Sequence, residues 1–87
     1  MKGIIMNTKV SGEIERWQTK GGKYSIILYT AKYEYSGTQY FAYDFFTNGS
    51  FTGGSSGYPT LEDAKQTMMR QIECAARIDN IKYKQVV

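Results

Sequence analysis

At 87 residues, with 41% hydrophobic and 15% aromatic side chains, the chain is long enough for one packed core and too short for two, so the reading is one domain spanning residues 1–87 and not a disordered chain. The net charge of +3 excludes an acidic mimic of DNA. The charge is spread along the chain, so nucleic-acid binding is permitted without being required.

In chain order, residues 3–6 (GIIM) read as a short strand interrupted by Asn7 and Thr8. This apolar run is too short for the core of a signal peptide, and no window approaches a membrane span. Alternation from Val10 predicts a strand over 9–18, bent at Gly12, with Glu13, Glu15 and Trp17 on one face and Ile14 and Arg16 on the other. Lys20-Gly21-Gly22-Lys23 predicts a hairpin turn, and 24–33 (YSIILYTAKY), apolar on both faces, a central strand. A turn over Tyr35, Ser36, Gly37 and Thr38 leads into a strand over 39–46, in which Phe41, Tyr43 and Phe45 oppose Tyr40, Ala42, Asp44 and Phe46. Asn48-Gly49 predicts a type I′ hairpin, because both residues accept positive φ. A short fourth strand then covers 50–53, and 53–59 (GGSSGYP) reads as a flexible crossover.

The helix follows. Pro59 holds Tyr58 extended, Thr60 is placed to cap the first turn, and Glu62 and Asp63 put negative charge at the positive helix end. Leu61, Ala64, Met68, Ile72 and Ala75 share one face, while Glu62, Gln66, Arg70, Glu73 and Arg77 share the other. Asp79 would return to the apolar face and Asn80 suits a left-handed cap, so the helix ends near Ile78. Ile81 to Val86 reads as a last edge strand, its lysines discouraging edge-to-edge association. The fold class is α+β, a four- to five-stranded antiparallel sheet with one amphipathic helix packed on one face. One helix cannot shield both faces of so aromatic a sheet, so the sheet either curls or presents its second face to a partner, which includes a second copy of the chain.

The chemistry-bearing residues argue for binding over catalysis. Histidine is absent, which removes the commonest general base and metal ligand. The acids do not pair usefully, and no phosphate-binding glycine loop, dinucleotide fingerprint or nucleophile elbow is present. No catalytic, cofactor or metal site is therefore expected. Cys74, the single cysteine, excludes an internal disulfide, favours a reducing, cytoplasmic setting, and reads as a half-buried small residue. Met68 and Met69 read as core filling. The Lys20–Lys23 turn either clamps a phosphate or is a glycine turn with solvated flanks. The aromatic set Trp17, Tyr29, Tyr33, Tyr35, Tyr40 and Tyr43 either pairs across strands or forms a recognition patch. Lys20, Lys23, Lys32, Lys82 and Lys84 complete the expected partner-binding set: cations for an acidic target, or for phosphates with rings stacking on bases.

Thr60, Ala64 and Lys65, set in a strand, short loop and helix, resemble in outline two nucleic-acid modules: the AP2-type DNA-binding domain of integrase N-termini and the second half of a double-stranded-RNA-binding domain. The latter family's helix-start lysines are replaced here by Leu61, Glu62 and Asp63, and acids at that end repel phosphate. As a small lysine- and tyrosine-rich chain without motifs, it also resembles the accessory proteins, anti-CRISPR proteins among them, with which phages and mobile elements block host defence complexes. That resemblance implies a non-enzymatic inhibitor docking on a host protein or ribonucleoprotein complex. The alternative is a nucleic-acid-binding domain of sheet-plus-helix type.

Overall fold

A computed structural model describes residues 12–87. The elements are β1 (Glu13–Thr19), β2 (Tyr24–Lys32), β3 (Gln39–Thr47), β4 (Ser50–Tyr58), α1 (Leu61–Ile78) and β5 (Tyr83–Val86). The strands form one five-stranded sheet in the order β4-β3-β2-β1-β5, with every neighbouring pair antiparallel, and α1 packs on one face. This is the α+β two-layer architecture that the patterning predicts.

The centre of the sheet follows from period-two geometry. β2 and β3 pair without a slip from Tyr24 opposite Thr47 to Lys32 opposite Gln39, so alternate residues fall cleanly on two faces. On the α1 side, Ile26, Leu28 and Tyr43 are buried with Ala64, Met68 and Ile72, and Trp17, Phe41, Phe45, Tyr58, Met69 and Tyr83 pack around them. On the other side, Ile27, Tyr29 and Ala42 form a second buried cluster flanked by Ala31, Tyr40 and Phe46. Of the two alternatives that the sequence leaves for this face, burial of these residues within the chain itself removes its centre from the surface open to a partner.

The helix keeps its predicted bounds. Thr60 Oγ1 accepts the Asp63 N–H at 3.1 Å, satisfying one of the free donors of the first turn. At the other end the N–H groups of Asp79 and Ile81 both donate to the Ala75 carbonyl at 3.0 Å, while Asn80 takes the left-handed conformation at φ 57°. Ala64, Met68 and Ile72 are buried as expected, whereas Leu61 and Cys74 are exposed, the latter against the half-buried placement expected of it.

Two strands differ from expectation. β1 begins at Glu13; the expected strand over 3–6 and the stretch 9–11 lie outside the described residues. An irregularity between Glu13 and Glu15 breaks the expected alternation. Glu13 turns toward Arg16, with Arg16 Nη2 2.8 Å from Glu13 Oε1. Glu15 stays with Trp17, accepts its indole N–H at 3.0 Å and pairs with Lys65 of α1 at 2.6 Å. The second difference is β4, which continues through the supposed crossover to Tyr58 and runs nine residues. Its Gly-Ser run has no apolar side chain to betray a strand. Backbone pairing with β3 holds it, and register shifts opposite Phe41–Tyr43 and Phe45–Phe46 absorb one extra residue each on the β4 side.

Candidate interaction surface

The lysines that the sequence scatters come together at one end of the sheet. Gly21 (φ 86°) and Gly22 (φ 77°) take conformations costly for other residues, and the Gly22 N–H closes the turn on the Thr19 carbonyl at 2.8 Å. Lys20 and Lys23 therefore flank a tight loop. The left-handed Asn80 ends α1 at this same end, and pairing of Thr19 with Tyr83 and Gln18 with Lys84 sets β5 beside β1. An open groove of about 590 Å³ results, lined by residues 18–21 together with Lys82, Lys84, Gln85 and Val86. A second opening of about 400 Å³ lies between Lys20, Lys23, Tyr24, Asn80 and Lys82. Lys23 Nζ sits 5.2 Å from the Tyr24 ring centroid, a cation–π contact that leaves the charge unneutralised. Among the described residues the ion pairs are Arg16–Glu13 and Lys65–Glu15, and none of these four lysines takes part in either. Like charges set close together reinforce one another's field, so positive charge is concentrated at this end of the sheet.

The exposed tyrosines gather at the opposite end. Tyr33 and Tyr40 pack with their rings tilted by 31° and their centroids 4.5 Å apart, and Tyr35 projects almost fully exposed from a loop closed by the Gly37 N–H on the Tyr33 carbonyl. Lys32 lies here as well. From Lys23 to Lys32 runs the whole of β2, roughly 30 Å at the usual rise per residue. The expected set of lysines with interleaved rings thus divides into a cationic end and an aromatic end.

Three members of the expected set are structural in placement. Tyr43 is buried beneath α1; burial, and then its hydrogen bond to Tyr58, push its hydroxyl up to about 12. Burial pushes Tyr58 up as well, but hydrogen bonds from Ser55, Tyr43 and Thr67 outweigh it and leave Tyr58 below its ordinary value. Tyr29 is buried on the other face with its hydroxyl 3.5 Å from Asp44 Oδ1; burial first, and then the Asp44 charge, push it up to about 12. Trp17 is half-buried at the rim of the core. Its indole N–H donates to Glu15, whose carboxyl burial raises while Lys65 and Trp17 together draw it below the usual range. Burial of Tyr29 and Tyr43 corrects the expectation that these two face a partner, while the half-buried Trp17 keeps part of its ring at the surface.

Gln18 and Gln85 line the groove although nothing in the local sequence marks them. Only the β1–β5 register, which sets Gln85 opposite Trp17 and Gln18 opposite Lys84, brings them there. Among the described residues no group of three histidine, cysteine or carboxylate side chains is placed to hold a metal, and no helix is long and apolar enough to cross a membrane. No protein-family model matches the chain, and comparison with curated proteins and with solved structures finds no significant match. Geometry therefore carries the functional reading.

Proposed function

We propose that this chain is a non-catalytic interaction protein that docks its lysine end onto an acidic patch of a larger protein or ribonucleoprotein complex. The observation that supports it is the convergence of four lysines at one end of the sheet, Lys20, Lys82 and Lys84 on the larger groove and Lys20, Lys23 and Lys82 on the smaller opening, with no carboxylate paired to any of them among the described residues. Occlusion of a partner's working surface is the mode of action that suits a small rigid sheet of this kind, and an inhibitor of a host defence complex is the biological role proposed for it. Direct nucleic-acid binding is the second reading. It needs phosphate contacts and stacking rings along one strip, whereas the exposed tyrosines lie a full strand length from the lysine end, where the half-buried Tyr24 ring is already covered by Lys23.

The two readings separate in a titration of single- and double-stranded DNA and RNA alongside poly-glutamate, across a range of salt. The proposal expects measurable binding to poly-glutamate and little binding to the bare nucleic acids near physiological ionic strength. A steep fall of log affinity with log salt on DNA or RNA, with poly-glutamate inert, overturns it in favour of nucleic-acid recognition.

A further inference from the structure

Building on the acidic-target reading, we infer that the docking element is the free edge of β5 and that its occupant is an extended acidic segment of the partner protein, added to the sheet as a sixth strand. No described strand lies beyond β5, so every second residue of Tyr83–Val86 turns a backbone N–H and C=O outward. The pairing of β5 with β1 runs from Thr19–Tyr83 to Arg16–Val86 without a slip, which keeps that edge straight. The opposite edge, β4, is different: two register shifts bend it and interrupt the regular spacing an incoming strand needs.

Charge then selects the occupant. Lys82 and Lys84 line the groove together with Lys20, so a second copy of β5 meets like charge and a neutral strand gains nothing from them. A strand with carboxylates at alternate positions places successive acids on the face that Lys84 occupies while its backbone pairs with β5, so backbone bonds supply affinity and the lysines supply specificity. The groove of about 590 Å³ is lined from both β1 and β5, so it adjoins the Lys84 side chain that the segment's acids would meet, not the backbone edge to which the segment pairs.

The test compares two synthetic peptides of equal composition, one alternating aspartate with valine and one with the aspartates clustered, together with an N-methylated copy of the alternating peptide. Binding is read by calorimetry, and the amide resonances of Tyr83 to Val86 are followed by NMR. The alternating peptide is expected to bind at least about tenfold more tightly than either control and to slow exchange of the outward β5 amides. Equal affinity for all three, with no change at β5, overturns strand addition and leaves acidic docking standing. Failure of all three peptides together with poly-glutamate overturns both.

Discussion

Replacement of Gly54 by alanine tests the part of the fold that is least visible in the sequence. Gly54 lies opposite Asp44 in the β3–β4 pairing, and a methyl group there would press against the Tyr43 carbonyl oxygen and lie 2.6 Å from Asp44 Oδ1. The carbonyl belongs to the backbone of a central strand and cannot rotate away, so β4 must move outward. Overpacking of this kind costs about 1–3 kcal/mol. Displacing the Asp44 carboxylate from the Tyr29 hydroxyl adds about 1 kcal/mol, since Asp44 is itself buried. The sum of about 2–4 kcal/mol corresponds to a fall in Tm of at least about 8 °C for a domain of this size. Urea and thermal unfolding followed by the fluorescence of Trp17, the single tryptophan and a member of the core rim, give the measurement. A variant within about 2 °C of the parent would refute the close approach of β4 to Asp44 and with it the nine-residue strand.

Met68→Ala is expected to cost about 2–5 kcal/mol in the same unfolding assay, because the side chain is fully buried between α1 and the sheet. Thr60→Ala removes the N-cap acceptor and is expected to cost about 1 kcal/mol, with Thr60→Ser restoring most of it. Stability should fall in alkali: Tyr29 and Tyr43 are held near 12 in the fold against about 10 in the unfolded chain, so their contribution is complete below pH 10 and is lost as pH rises toward 12. Tyr29→Phe and Tyr43→Phe should each flatten that alkaline fall; a slope unchanged in both variants contradicts the assignment.

The legibility of this chain follows the side chains. Thr60 to Ile78 was readable because the cap, the acidic first turn and the apolar spacing all specify one helix, and the type I′ turn at Asn48 (φ 52°) and Gly49 (φ 82°) was readable because few residue types tolerate it. The latter half of β4 was not readable, since a strand held by backbone bonds and a glycine's close approach leaves no hydrophobic alternation behind. The site shows the same division. Lys20, Lys23, Lys82 and Lys84 were nameable as residue types, but their union at one end depends on the β1–β5 register. Burial of Tyr29 and Tyr43 is not legible, because an aromatic strand residue has the same signature whether it closes a core or faces a partner.

The most direct test of the central claim is a matched pair of charge reversals measured on poly-glutamate over a range of salt. Lys84→Glu alters the lysine groove, and Lys32→Glu makes the same change in net charge at the far end of β2. The account predicts that Lys84→Glu weakens binding at least about tenfold and reduces its salt dependence, while Lys32→Glu leaves affinity within about twofold of the parent. Equal loss in both variants would show that net charge alone governs binding, and would contradict a localised docking site at the lysine end.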